Sequence, residues 1–351
     1  MEAALYHPDF GYYARAVQRS GRAGDFFTSV DVGPLFGELL AKQIAEMQRI
    51  LNSEFRIQNF EIIEAGAGNG RLSADILRAL MREAPDTYTA TRLHLVETSA
   101  TARAAHEPTL ADCADRLASS SPALPDSFEG VLVANELLDA MPVHQVVMRD
   151  DGLHEIYVEG IGDTLVLREG PLSTPRLAEY FTALGTALEP GWRAEVSLAA
   201  VDWMREAARK LARGFIILID YGHEAAELYS VTHSSGTLTS FAGHRSIGPE
   251  STATPWLRNP GQQDLTAHVD FTSVRRTAEA EGCTMLGFLD QMYFLLALVT
   301  DRLETLSVKE RLALKTLVMP GGLGSTMKVM ILGKGVGTPK LAGLSSHVRV
   351  T

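Results

Sequence analysis

The chain has 351 residues, 46% hydrophobic and 21% charged, the balance of a soluble globular protein with room for a large core. With 43 acidic against 32 basic residues its net charge is −11. That argues against duplex nucleic acid, which needs a cationic face, and suits a basic partner such as an arginine-bearing protein segment.

No apolar run reaches the roughly 18 residues needed to span a bilayer, so no membrane insertion is expected. Met1-Glu2-Ala3-Ala4-Leu5-Tyr6-His7-Pro8 lacks the basic and apolar regions of a signal peptide. Cys113 and Cys283 are too few for a disulfide framework or a Cys-based zinc site, and a reducing, cytoplasmic setting is expected. Residues 5–30 read as loop. Pro34 starts a helix with Leu35, Phe36, Leu39, Leu40, Ile44, Met47 and Leu51 on its buried stripe.

A strand at 60–64, a helix at 71–83 and a strand at 93–97 form a βαβ unit, hence parallel strands. Within it lies Glu64-Ala65-Gly66-Ala67-Gly68-Asn69-Gly70. Glycine at every second position lets the backbone turn tightly and approach a ligand with no Cβ in the way. The dinucleotide fingerprint G-x-G-x-x-G, counted from Gly66, would need glycine where Arg71 stands. The acidic-x-G-x-G-x-G form is instead that of an S-adenosylmethionine (AdoMet) site. Gly66, Gly68 and Gly70 are then expected to turn N–H groups toward the methionine carboxylate, and Glu64 to face its amino end. Glu97, ending the next strand, is expected to accept both ribose hydroxyls. The competing readings are a plain strand-to-helix turn and a solvated glutamate.

Residues 101–127 show no clear period. The apolar run 130–134 is a buried strand, and Asn135-Glu136 follows it at the edge where open α/β sheets bind ligands. An amide and a carboxylate there can orient an acceptor nitrogen and neutralise a guanidinium; otherwise Asn135 only caps the next helix and Glu136 is solvated. Segments 143–148 and 153–168 suggest a β-hairpin insertion. Ser197 is expected to cap a helix that Gly214 stops. The buried strand 215–219 leads into Asp220-Tyr221-Gly222, which makes Asp220 a third candidate on this edge, with Glu195 a weaker carboxylate.

Residues 230–262 read as an extended loop, 271–316 as a helical block, and 327–332 as a last strand. His268, Asp264 and Asp270 read as a structural hydrogen-bonding cluster, and no metal site is expected. No G-x-S-x-G element or Cys/His arrangement supports a covalent hydrolase.

Several segments together resemble the MidA-like family of AdoMet-dependent methyltransferases, which includes a mitochondrial assembly factor that methylates an arginine in a core subunit of respiratory complex I. They are Tyr6-His7-Pro8-Asp9-Phe10-Gly11-Tyr12-Tyr13, Gly24-Asp25-Phe26-Phe27-Thr28-Ser29, Phe36-Gly37-Glu38 and the glycine motif. Ala134-Asn135-Glu136-Leu137-Leu138-Asp139-Ala140-Met141-Pro142-Val143-His144, Ile219-Asp220-Tyr221-Gly222 and residues 260–271 continue the likeness, in the family's order. The family more typically has Pro and Arg where Ala67 and Asn69 stand. The resemblance implies a protein arginine acceptor, and that Asp25, Thr28 and Ser29 close over the cofactor.

The expected fold is therefore α/β: a Rossmann-like class I methyltransferase with a mostly parallel sheet, an antiparallel last strand, a β insertion and a helical insertion. Residues 1–52 are expected to pack on the core as loop and helix. Residues 53–351 would form one methyltransferase domain with insertions at about 143–196 and 223–316. Acceptor chemistry is assigned to Asn135, Glu136 and Asp220. Two other classes remain, a non-catalytic AdoMet-binding assembly factor and a nicotinamide-dependent oxidoreductase.

Overall fold

The apolar runs marked as buried strands pair in parallel. In the computed structural model, β1 (Phe60–Ala65) lies between β2 (Thr91–Val96) and β4 (Phe128–Asn135). β3 (Leu117–Ser121) pairs β2 at the edge. Beyond β4 come the strands Leu211–His223, Met327–Lys334 and Thr284–Asp290. The first of these is parallel to β4, and the last two are each antiparallel to their neighbour. The structure describes residues 1–14, 28–57, 59–242, 245–248 and 254–345.

The chain divides into two compact units. The sheet unit comprises Phe27–Leu137, Arg205–Tyr221 and Ala278–Thr351. Its helix Leu35–Phe55 buries the expected stripe, with Pro34 just before the first helical residue. The second unit comprises Met1–Phe26, Leu138–Met204 and Gly222–Thr277. It holds a four-stranded antiparallel sheet of His144–Arg149, Gly152–Ile161, Thr164–Gly170 and Arg193–Val196. A three-stranded sheet of Thr239–Ala242, Arg245–Ile247 and Asp264–Thr266 lies in the same unit. The stretch 223–316 thus divides, its first part in one unit and the part from Ala278 in the other.

Four local expectations change. Residues 284–290 are a strand inside the stretch read as helical, because their apolar side chains complete the sheet beside Met327–Lys334. The segment 230–262 is not loop throughout, since it contains two short strands and the turn Val231–His233. Within the irregular-looking 101–127, Leu117–Ser121 is an edge strand with its serines half-exposed in alternation. The helix capped by Ser197, whose Oγ accepts from Ala200 N at 3.1 Å, ends at Lys210 rather than at Gly214. Gly214 lies within the next strand, where a Cβ would fall 1.9 Å from the Gly130 carbonyl oxygen. It permits close strand approach there and is not a helix stop. Among the described residues, no helix is long and apolar enough to cross a membrane.

Candidate active site

Parallel pairing fixes which chain ends meet. Ala65 is in register with Val96 on one side and Ala134 on the other, and Asn135 with Ile219. The glycine loop, Glu97, Asn135-Glu136 and Asp220 therefore emerge along one sheet edge, beside β1, where the strand order reverses. All belong to the sheet unit.

Gly66, Gly68 and Gly70 have φ of 72°, 53° and 84°, left-handed values that disfavour other residues. A Cβ at Gly66 would sit 3.0 Å from Leu137 Cδ1, and at Gly70 3.2 Å from Leu95 Cδ1. At Gly68 it would meet nothing within 4 Å among the described residues. Gly68 thus faces open space over bare backbone, a cradle that fits a ligand. The loop N–H groups are oriented otherwise than expected. Gly66 N donates to Val96 O at 2.9 Å, Gly68 N to Glu97 Oε2 at 2.9 Å and Gly70 N to Ala67 O at 2.8 Å. They rigidify the turn.

Glu97 Oε1 also accepts from Ser99 N at 2.8 Å, so each carboxylate oxygen anchors one backbone N–H. A carboxylate offers about four acceptor positions, and capacity for hydroxyl donors is left. Beneath the loop, buried His106 lies 2.9 Å from Gly68 O through Nε2 and 2.9 Å from Ser120 Oγ through Nδ1. A carbonyl can only accept, so Nε2 carries the proton and Nδ1 accepts from the hydroxyl. Burial lowers the pKa of His106, which favours this neutral ring.

Glu64, 5% exposed, accepts from Ser73 N at 3.1 Å and from Ser73 Oγ. Burial raises its pKa to about 7, against the opposing pull of the Ser73 bonds. Its carboxyl thus ties β1 to the first turn of the helix Arg71–Glu83.

At the end of β4, Glu136 adopts φ 51°, uncommon for a residue with a side chain, and its N–H donates to Ile219 O at 2.8 Å. Its Oε1 accepts from Asn135 Nδ2 at 3.1 Å and, at 3.4 Å, from Ser29 N. With Nδ2 directed to a carboxylate the orientation of the Asn135 amide is set, and its buried Oδ1 has no hydrogen-bond partner among the described residues. Asp220, 1% exposed, accepts from Leu137 N at 3.1 Å and Tyr221 N at 2.8 Å, bracing the turn after Glu136.

Thr28 N and Oγ1 donate to Asp31 Oδ2 at 3.0 and 2.9 Å. Buried Ser29 donates through Oγ to Gln291 Oε1 at 3.1 Å. Ser29 thus meets Glu136, whereas Asp25 lies outside the described residues. Glu195 does not join this cluster: it is buried in the second unit, accepting from Gln145 Nε2 and Thr237 N. His106 and Gln291 carried no sequence signal, because their partners are distant in the chain, whereas the local Thr28–Asp31 capping-box spacing could have marked Asp31.

The sequence profile of the family described as "Putative S-adenosyl-L-methionine-dependent methyltransferase" matches residues 39–289. The chain is 29% identical over 323 residues to Protein arginine methyltransferase NDUFAF7, mitochondrial, of Mus musculus, covering 84% of this chain and 68% of that protein. It is 28% identical to the Drosophila melanogaster homolog, covering 80% of this chain and 66% of that one, so it spans about two thirds of these relatives. A Burkholderia thailandensis protein whose crystal structure holds S-adenosyl-homocysteine superposes with a TM-score of 0.86 at 31% identity, over 99% of this chain and 90% of that one. The chain belongs to this family of S-adenosyl-L-methionine-dependent methyltransferases.

Proposed function

We propose that the protein transfers a methyl group from AdoMet to an arginine side chain of a protein. The observation that carries the cofactor half is Gly68, held in a left-handed turn with open space where its side chain would stand. Gly66, Gly68 and Gly70 would hold the methionine moiety, with Glu64 nearest its amino end. Glu97 would take the ribose hydroxyls with its remaining acceptor capacity. Thr28 and Ser29, and on the resemblance Asp25, would close over the cofactor. Bound AdoMet supplies an electrophilic methyl on a sulfonium, so the protein's task is mainly alignment.

The acceptor half rests on Asn135, whose Oδ1 is a buried acceptor without a partner among the described residues. Beside it stands the Glu136 carboxylate on a left-handed backbone, the kind of local strain that collects at functional sites. We assign Asn135 Oδ1 to accept an N–H of the incoming guanidinium. Glu136 balances its charge and takes up the proton that the methylated nitrogen sheds. Asp220 holds the turn after Glu136 in place. The names of the mouse and fly relatives agree with an arginine acceptor, and resemblance to the MidA-like family points to a respiratory complex I subunit. The mouse relative's name reads mitochondrial; for this chain the free, buried Cys113 and Cys283 fit a reducing setting, and the cytoplasmic location proposed for it is tested by fractionation.

The test is incubation with methyl-labelled AdoMet and cell extract, followed by mass spectrometry of labelled protein. Methylarginine in a discrete protein is expected. AdoMet binding with no methylated product would favour the non-catalytic assembly factor instead.

A further inference from the structure

In the second unit, three histidines far apart in sequence come together. His223 ends a strand, His233 ends the turn Val231–His233, and His268 directly precedes the strand Val269–Asp270. Each offers a ring nitrogen within 4.8 Å of the other two, and the ring centroids are 4.8, 5.3 and 5.8 Å apart. No other such trio of His, Cys, Asp or Glu occurs among the described residues. The hydrogen-bonding cluster expected of His268, Asp264 and Asp270 is dispersed. Asp264 accepts from Tyr13 Oη at 2.9 Å and Asp270 from Tyr180 Oη at 2.6 Å, while His268 faces the other two histidines.

We infer that His223, His233 and His268 bind a divalent transition-metal ion of the zinc class, joining three segments of the second unit. The tautomers agree. His233 Nδ1 lies 3.0 Å from the Glu227 carbonyl, which can only accept, so Nδ1 carries the proton and Nε2 presents a lone pair. His223 Nδ1 lies 3.0 Å from Glu227 Oε1, a charge contact outside hydrogen-bond geometry, so a small ring rotation would let this carboxylate orient the imidazole from outside the site. His268 Nδ1 is buried with no hydrogen-bond partner among the described residues.

The support behind the trio is built in. His268 N donates to Thr237 Oγ1 at 3.0 Å, and Thr237 N and Oγ1 donate to buried Glu195 Oε2 at 2.6 and 3.1 Å. Glu195 Oε1 accepts from Gln145 Nε2 at 3.0 Å. The parallel pairing of Val269 with Gly222 and Asp270 with His223 fixes the two strand segments against each other. Three imidazoles with a fourth position open to water or carboxylate suit zinc, cobalt or nickel rather than magnesium or calcium, which prefer oxygen. Tetrahedral ligation at about 2.0–2.1 Å per nitrogen would draw the donor atoms to about 3.4 Å apart, a shift within reach of side-chain rotation.

The experiment uses the full chain, stripped with chelator and titrated with Co2+ and then Zn2+, without AdoMet. One Co2+ per chain with the visible absorption of a tetrahedral complex is expected, displaced by Zn2+, together with a rise in Tm on adding Zn2+. His233→Ala, at the least buried turn of the three segments, should weaken Co2+ at least about tenfold and abolish the Tm rise, while the exposed-site control His7→Ala changes neither. Lack of Co2+ binding in the micromolar range overturns the inference, as does affinity unchanged in His233→Ala. Neither readout involves methyl transfer, so failure here leaves the proposed function standing.

Discussion

Arg71 Nη2 lies 2.5 Å from Asp31 Oδ1, joining the first residue of the helix after the glycine loop to the turn that begins at Thr28. Asp31 is 2% exposed and also accepts from both Thr28 donors, so one carboxylate fixes Thr28 and Arg71 together. The residue that departs from the dinucleotide pattern at position 71 is thus an anchor for the segment assigned to close over AdoMet.

Replacing Arg71 by alanine takes the guanidinium away from a buried carboxylate that keeps its Thr28 donors. Because Arg71 is 40% exposed, solvent screens the pair, and a loss of about 1–2 kcal/mol is expected rather than the full cost of breaking a buried pair. Urea unfolding measures that loss, and calorimetry should show weaker AdoMet binding. Full AdoMet affinity in Arg71→Ala would separate the Thr28 turn from the cofactor.

Gly68→Val should abolish AdoMet binding while the protein still folds. Among the described residues nothing lies within 4 Å of the new Cβ, so the main cost to folding is a β-branched residue on a left-handed backbone, at least about 1–2 kcal/mol. Circular dichroism checks the fold and calorimetry the binding. Undiminished affinity would mean that the open space over Gly68 is not the ligand's.

What the sequence disclosed follows the range of the interactions. The glycine loop and the strand ending before Glu97 are local patterns, in which alternating glycines and continuous apolar runs have one structural solution. Asn135, Glu136 and Asp220 were readable because strand ends follow from the strands. His106 was not, since it closes on a carbonyl 38 positions away from within an Ala- and Ser-rich stretch. The trio of His223, His233 and His268 depends on a parallel pairing across a long connection, so no spacing announces it. The strand Thr284–Asp290 was lost for another reason: a short apolar run fits helix or strand, and only its partner Met327–Lys334 decides.

Glu97→Ala should weaken AdoMet by about 1.5–3 kcal/mol, the range for hydrogen bonds to a charged group. Part of that loss is the anchor of Gly68 N, which Glu97→Gln largely retains through its amide oxygen. Comparing the two variants by calorimetry separates loop anchoring from ribose recognition. An unchanged dissociation constant in both would assign Glu97 to neither task.

The Glu64 carboxyl carries a pH signature. Its pKa is raised from 4.5 to about 7, so the folded state holds a proton that the unfolded chain has released between those values. Stability therefore falls as pH rises across that window and stays lower above it, by about 3 kcal/mol in total. Below pH 4.5 the penalty is absent. Glu64→Gln keeps an oxygen for the Ser73 donors and removes the titration, so urea denaturation from about pH 4.5 to 8 should flatten. A wild-type profile with no such fall would place the Glu64 carboxyl near its ordinary value.

Glu136 separates catalyst from scaffold. Its carboxylate receives the Asn135 amide and the Ser29 N–H, and its backbone is held in a left-handed turn by the Ile219 carbonyl. Glu136→Gln preserves volume and an acceptor oxygen, so both hydrogen bonds can persist and the fold should be unaffected. The negative charge opposite the guanidinium is lost, and with it the acceptor for the shed proton. Methyl transfer should fall at least about tenfold, or about 1.4 kcal/mol of transition-state stabilisation, with AdoMet affinity little changed. Turnover is read from labelled methyl groups on the acceptor, and affinity from calorimetry on the same preparation. If turnover survives while affinity collapses, Glu136 serves the cofactor through Ser29, and the acceptor site must lie elsewhere along the sheet edge.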